Sequence, residues 1–198
     1  MSDAEVLPER TRMHKDDRRS AIIVEAIRII GERGYQACSI NELAKRCGLT
    51  TAGLLHHFGS KEGVLIALLK ERDRRDADAI SGRLGLHRDQ DLSREQVLTM
   101  LHAIVRQNAG QPHLVRLYAI LRAEALVENH PAGAFFLERE RATFGLFAAV
   151  IEPHVADASA TARQLQAAMQ GLEVQWLREN CAFDLVAEWD KVADKLLH

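Results

Sequence analysis

The sequence predicts an all-α protein, and three observations support this fold class. Apolar residues recur at the spacing of three and four that is typical of amphipathic helices. No segment shows the alternation of β-branched and polar residues that marks a strand. Only four of the 198 residues are proline, so few helices are interrupted. With 47% apolar residues, the chain can bury the core of one large or two small domains.

The amino-terminal segment 1–15 mixes charges without an apolar stripe and is predicted to be a flexible arm. A first helix is expected from about Asp17 to Arg33, because isoleucines gather on one face and Gly34 follows its end. Basic residues in and beside the arm could reach DNA, although we favour a solvated tail. These residues are Arg10, Arg12, Lys15, Arg18 and Arg19.

A second, short helix is expected from about Ile40 to Gly48. Ser39 can cap it, with Glu42 reaching back in a capping box. Gly48 follows the last apolar position, where the left-handed conformation costs glycine least.

The third helix is expected from Thr50, its N-cap, to Phe58, and Gly59 should end it. Leu54 and Phe58 form its buried side. The outward residues are small or hydrogen-bonding and include no carboxylate, which phosphate would repel: Thr50, Thr51, Gly53, His56 and His57. Two helices joined by a glycine-containing turn predict a helix-turn-helix, whose second helix lies in the DNA major groove.

The run GLTTAGLLHHFGSKE closely resembles the signature of TetR-type (tetracycline-repressor-like) transcriptional regulators. The resemblance covers roughly residues 16–76. It implies a helix-turn-helix domain over 16–76 and a helical effector-binding and dimerisation domain over 77–198. Two residues depart from the pattern: Leu55 stands where a phosphate-contacting Tyr is usual, and Cys38 stands where many members have Thr.

A fourth helix is expected to begin after Ser60 and to connect the two domains. Its first turns are apolar, whereas the run KERDRRDAD is expected to be solvated. A loop is predicted over 83–92. Five further helices are predicted at about Ser93–Asn108, His113–Val127, Ala132–Ile151, Ser159–Glu179 and Phe183–Leu197.

The resemblance also implies which residues form the functional surfaces. DNA contacts are expected from Ser39, Thr50, Thr51, Gly53, Leu55, His56, His57 and Lys61. A two-fold dimer interface is expected to include Leu165, Ala168, Gly171, Leu172 and Gln175. The expected effector pocket is lined by Met100, Tyr118, Glu124, Phe135, Phe144, Met169 and Trp176. For Glu124 we favour the alternative that it pairs with a neighbour such as Arg122 or leans to the surface.

Several other classes of protein are disfavoured. The formal net charge is only −2, and residues 1–61 hold ten basic against eight acidic residues, so DNA affinity should need two copies of the domain. Three widely spaced cysteines predict a reducing cytoplasm, and the chain has no apolar run long enough to cross a membrane. The nine histidines show no zinc spacing, and no nucleophile elbow or P-loop is present. We therefore expect no metal, no cofactor and no catalytic residue.

The sequence thus predicts a homodimeric regulator that binds palindromic operator DNA and is controlled by an unknown small molecule. A repressor is the favoured form, and an activator of the same architecture is the alternative. The hypothesis from a different functional class is a helical small-molecule-binding protein or enzyme, in which the two-helix motif only packs against the rest of the protein.

Overall fold

The computed structural model describes residues 15–84 and 92–198, and every regular element within these ranges is helical. This confirms the predicted fold class. The nine α-helices of the described residues are α1 (Lys15–Arg33), α2 (Ile40–Arg46), α3 (Thr51–Phe58), α4 (Lys61–Leu84), α5 (Arg94–Ala109), α6 (Pro112–Glu124), α7 (Gly133–Ile151), α8 (Ala158–Arg178) and α9 (Leu185–Leu196). A short 3₁₀ turn, Glu152–His154, follows α7.

Side-chain caps fix where several of these helices begin. Ser93 and Gln96 form both hydrogen bonds of a capping box at the start of α5. Ser39 accepts a hydrogen bond from the Glu42 N–H at 3.5 Å, as predicted. The Glu42 carboxylate does not complete a box there; it pairs with Arg46 at 2.7 Å and with Arg33 at 3.3 Å. The second half of that predicted box is therefore wrong, because two guanidinium groups compete for the carboxylate.

Two hydrophobic clusters form the core. The first joins α1–α4 to α6 and to the start of α7, through residues such as Leu117 and Phe136. The second joins α5, the rest of α7, α8 and α9 around the fully buried Trp189. Helix α6 packs against α1 on one side and α8 on the other, so it links the two clusters. The division at residue 76 stays a prediction, and the first cluster extends beyond it.

Helix α6 ends earlier than predicted, at Glu124 rather than near Val127. The chain then turns through Asn129, whose φ is 61°, before Pro131. This turn leaves Leu126 and Val127 exposed. The predicted arm falls almost wholly outside the described residues, as do Arg10 and Arg12. Most of the loop predicted over 83–92 also falls outside them.

Among the described residues, no helix is both long enough and apolar enough to cross a membrane.

Candidate nucleic-acid interface and internal cavity

Helix α3 is held on its inner side by the first hydrophobic cluster. Gly48, with φ 65°, turns the chain after α2, and Leu49 N–H donates to the Ala44 carbonyl at 2.9 Å. Leu54 is fully buried, and Phe58 packs partly buried beside it. The helix therefore keeps one fixed face toward the protein and the opposite face toward solvent.

The outward face of α3 carries hydrogen-bonding groups whose positions are set by contacts within the motif. Thr50 Oγ1 accepts the Gly53 N–H at 3.0 Å, which leaves its hydroxyl proton available to an external acceptor. Thr51 Oγ1 donates to Asn41 Oδ1 at 2.8 Å, so its oxygen remains an acceptor. His56 is exposed, and its ring lies 6.0 Å from that of His57. The arrangement offers both donors and acceptors and no carboxylate.

Two cations flank this face. Lys61 Nζ lies 4.3 Å above the Tyr35 ring and donates to the Gln36 carbonyl at 3.5 Å. The Arg19 guanidinium lies 4.5 Å from the centre of the Phe58 ring and donates to the His57 carbonyl at 3.1 Å. The sequence marked Arg19 only as a basic residue near the arm, because its contact with α3 joins positions 38 residues apart.

The remaining predicted DNA-contacting residues are at least partly exposed. Ser39 is exposed at the start of α2, and Leu55 is partly exposed on α3 beside the buried Leu54. The eight predicted residues thus lie in α3, at its N-cap, or at the starts of α2 and α4. Whether each contacts DNA stays a prediction.

A cavity of about 510 Å³ lies among α4, α5, α6, α7 and α8. One end is apolar and is lined by Met100, Ile104, Leu146, Phe147, Val150 and Met169. The other end, here called the charged end, is lined by Arg72, Asp73, Asp76, Asn108, Tyr118, Arg122, Arg139 and Glu173. The volume lies within the range of small-molecule sites in proteins, roughly 300–1,000 Å³.

Several groups of the charged end are paired, some within α4 and some across helices. Arg72, only 5% exposed, lies with its Nε 2.8 Å from Oδ2 of Asp76 on the same helix. Arg139 Nε donates to both oxygens of Asp73 at 3.0 Å. Both guanidinium groups stand over the Tyr118 ring, at 4.2 Å and 5.0 Å. Helix α4 is therefore tied to α6 and α7 through its own charged residues.

A second set of contacts ties α4 to α5 and α8. Arg72 Nη2 donates to Asn108 Oδ1 at 3.3 Å, and Asn108 Nδ2 donates to Glu173 Oε1 at 2.7 Å. Burial raises the pKa of Glu173, and it lowers the pKa of Arg122 with a further contribution from Arg139. The run of charge that was expected to be solvated thus lies in part against the cavity, so that expectation is wrong for Arg72.

Three of the seven predicted pocket residues line the cavity: Met100, Tyr118 and Met169. The other four lie elsewhere, so the prediction is corrected for them. Glu124 lies 3.9 Å from His130 Nε2 and next to Gly34 at the end of α1. Phe135 packs on the first cluster, whereas Phe144 and Trp176 belong to the second. Glu124 does not pair with Arg122, which faces Glu140 instead, but it lies outside the cavity with a partly exposed side chain, as the favoured alternative for it allowed.

The predicted dimer residues divide into one buried and four accessible positions. Leu165 is fully buried in the second cluster and is not available to a partner, which corrects that prediction. The other four lie on one face of α8 at partly or fully exposed positions: Ala168, Gly171, Leu172 and Gln175. A Cβ atom built at Gly171 meets nothing within 4 Å, so no other part of the described chain packs closely against this glycine.

The described residues contain no group of three His, Cys, Asp or Glu side chains placed to hold a metal ion.

Comparison with known proteins identifies relatives of both the motif and the fold. Residues 22–68 match the family described as "Bacterial regulatory proteins, tetR family". The chain is 31% identical over 116 residues to the HTH-type transcriptional regulator BetI of Rhizobium meliloti (strain 1021), covering 54% of this chain and 52% of BetI. It is 29% identical over 122 residues to the HTH-type transcriptional repressor Rv1474c of Mycobacterium tuberculosis, covering 60% of this chain and 65% of that protein. The chain thus matches about half to two thirds of the length of these relatives.

The fold as a whole resembles that of solved regulators. A regulator from Saccharomonospora viridis, solved in complex with choline, superposes with a TM-score of 0.75 at 20% identity, over 91% of this chain and 95% of that one. The predicted helix-turn-helix lies within the residues that match the family model, and the helical body that carries it has the fold of the solved regulator. Residues 22–68 are thus a domain of the TetR family of bacterial regulatory proteins.

Proposed function

We propose that the protein is a homodimeric, sequence-specific DNA-binding transcriptional regulator, most simply a repressor that a small molecule releases from its operator. The observation that carries this proposal is the outward face of α3. It is free of carboxylates, rich in hydrogen-bonding groups and fixed from behind by the fully buried Leu54. Such a helix can enter the major groove, where the base edges present distinct patterns of donors and acceptors.

The contacts proposed for this face fall into two kinds. Thr50, Thr51 and Gly53 lie at the amino-terminal end of α3, the end from which recognition helices reach base edges. Phosphate contacts are assigned to Ser39 at the start of α2, to His56 or His57 in the last turn of α3, and to Lys61 at the start of α4. Leu55 would supply an apolar contact in place of a hydroxyl. The phosphate contacts set the register, and the base contacts give the sequence preference.

Two copies are needed because the basic residues of the segment 1–61, which includes the helix-turn-helix, only slightly outnumber its acidic residues. The accessible face of α8 that carries Gly171 is proposed as the two-fold interface, together with α9 beside it. A two-fold dimer would place its two α3 helices about 34 Å or a multiple of it apart, so the operator should be palindromic. The regulator would act in the cytoplasm, where a bacterial chromosome lies.

The cavity is the proposed binding site of an effector, and α4 connects this cavity to the helix-turn-helix. The first turns of α4 pack on the helix-turn-helix through Leu65 and Leu68, and its later turns place Arg72 and Asp76 at the charged end of the cavity. A ligand that rearranges those ion pairs would change the position of α4. A coupling of about 1–3 kcal/mol would change operator affinity roughly 5- to 150-fold. The same docking would serve an activator, which is the alternative.

The proposal is tested by placing a carboxylate on the proposed DNA face. We expect Thr51→Glu to abolish specific binding to the protein's own promoter region, measured by fluorescence anisotropy over a range of salt concentrations, because the new charge faces phosphate. The fold should survive, since a carboxylate in the first turn of a helix is favoured by the helix dipole. Ser159→Glu, in the first turn of α8, adds the same charge away from the proposed face and should leave binding unchanged. Equal binding by the wild type and both variants would refute the assignment of α3.

A further inference from the structure

The cavity contains two ionisable groups that the ion pairs of the charged end do not fully satisfy. One is Arg122: its Nε lies 3.5 Å from Glu140 Oε1 and has no hydrogen-bond partner. Glu140 does not line the cavity and is partly exposed to solvent, which weakens its attraction. The other is Glu173, which is 8% exposed and accepts one hydrogen bond, from Asn108. No ion pair of 4 Å or less joins these two side chains, but their charges attract: Arg122 lowers the pKa of Glu173, and Glu173 raises the pKa of Arg122, each against the larger effect of burial.

These two groups differ in how they can relieve an unpaired charge. A buried carboxyl can take up a proton, and burial already shifts the pKa of Glu173 in that direction. An arginine side chain cannot lose its proton in a protein. Arg122 therefore keeps a positive charge inside the cavity, whereas Glu173 can become neutral. Arg72 Nε likewise makes no hydrogen bond, but it lies 2.8 Å from an Asp76 oxygen, and Arg139 lies 3.0 Å from Asp73, so both have a closer carboxylate than Arg122 has.

The shape of the cavity places an apolar wall next to this charge. Its lining on α7 runs from Arg139 to Val150, eleven residues apart, which corresponds to about 16 Å at 1.5 Å per residue. The cation lies at the Arg139 end, and Leu146 and Phe147 lie toward the other. On α5 the lining likewise passes from Asn108 at the polar end to Met100 at the apolar end.

From this geometry we propose that the effector of the regulator is an amphipathic anion, whose carboxylate binds Arg122 while its apolar body lies along α7. This inference rests on the proposed function, because it names the chemical class of the molecule that the cavity receives. A carboxylate can accept two hydrogen bonds from the guanidinium and so satisfy the Nε that has none. The apolar body would exclude water from the wall formed by α5 and α7.

The head group is tested with three ligands that each have a ten-carbon chain, the carboxyl carbon of the first included: decanoate, decan-1-ol and decyltrimethylammonium. Binding to the full-length wild-type protein is measured by isothermal titration calorimetry below micelle-forming concentrations. We expect decanoate to bind at least tenfold more tightly than either other ligand. Tighter binding of the ammonium compound, equal binding of all three, or no binding of decanoate would each overturn the proposal. This comparison needs no variant, so it does not depend on the stability of a mutant.

The role of Arg122 is tested by Arg122→Gln with Arg116→Gln as its control. Arg116 is exposed on the same helix and does not line the cavity. Loss of a charge-assisted hydrogen bond should weaken decanoate binding about 10- to 100-fold in the first variant and leave it unchanged in the second. Circular dichroism checks that both are folded. Unchanged affinity in a folded Arg122→Gln would contradict the assignment.

The two proposals fail separately. Ligand binding is measured without DNA, and the effect of Thr51→Glu on DNA binding is measured without ligand. Loss of the decanoate result would leave DNA recognition by α3 intact, and loss of DNA recognition would leave the head-group preference intact.

Discussion

Leu54→Ala and Leu55→Ala form a matched pair that tests the orientation of α3. The two side chains are identical and adjacent, but Leu54 is fully buried behind the helix and Leu55 is partly exposed in front of it. Truncating a buried leucine costs about 2–5 kcal/mol through lost transfer free energy and the cavity left behind. Truncating a partly exposed leucine should cost less than about 1 kcal/mol.

Urea unfolding followed by circular dichroism measures the free energy of unfolding of each variant. For a chain of this length the loss at Leu54 corresponds to a fall in melting temperature of roughly 4–20 °C. All samples must be compared at one protein concentration, because the proposed dimerisation would stabilise the fold by mass action. Operator binding is measured in parallel at a temperature where both variants are folded.

We expect the two variants to separate stability from DNA affinity. Leu54→Ala should lose stability, whereas Leu55→Ala should keep it and change DNA affinity. Equal losses of stability, or a larger loss at Leu55, would show that the face assigned to DNA is the one that packs on the protein. The proposal that α3 is the recognition helix, with Leu54 on its buried side, would then be untenable.

Three further predictions concern single sites. Glu173→Gln keeps an acceptor for Asn108 but cannot ionise. Because burial raises the pKa of Glu173, the free energy of unfolding of the wild type should fall as pH rises from the usual carboxyl pKa through the raised one. Urea unfolding at each pH should show a flatter dependence on pH for the variant. Gly48→Ala should cost about 1–2 kcal/mol in the same assay, since φ there is 65° although the space around it is open. Gly171→Arg should convert the dimer to a folded monomer in light scattering, whereas Gly145→Arg, at a similarly open position on α7, should not; two dimers would exclude the proposed interface.

The helix-turn-helix could be predicted almost completely from sequence because its signals are local. Thr50 caps α3 as expected, and Gly48 and Gly59 adopt the positive φ that ends each short helix. The apolar pair Leu54 and Phe58 also packs inward as the spacing indicated. Each of these signals spans at most eight residues, so no knowledge of tertiary contacts was needed.

The cavity could be predicted only in part, because its charged end depends on contacts between distant helices. Arg72 stands in a run of charges that reads as a solvated face, and it is buried only because Asn108 and Tyr118 come to it from α5 and α6. Arg122 and Glu173 gave no signal in the sequence for the same reason. Aromatic residues were the expected lining, yet Phe144 and Trp176 are ordinary core residues of the second cluster.

The predicted dimer face illustrates a smaller error of the same kind. The resemblance assigned five residues of α8 to one interface, but Leu165 lies on the apolar stripe that packs inside the chain itself. A helix buried on one side and paired on the other carries two apolar stripes. Periodicity alone does not say which stripe meets which neighbour.

The most direct test of recognition by α3 is methylation protection of the operator with dimethyl sulfate, which modifies guanine N7 in the major groove and adenine N3 in the minor groove. We predict two patches of protected guanine N7 on one side of the DNA, centred about 10 base pairs or a multiple apart, and symmetric about the palindrome. Protection of adenine N3 with guanine N7 left reactive, or a single unpaired patch, would contradict the insertion of two α3 helices into successive major grooves.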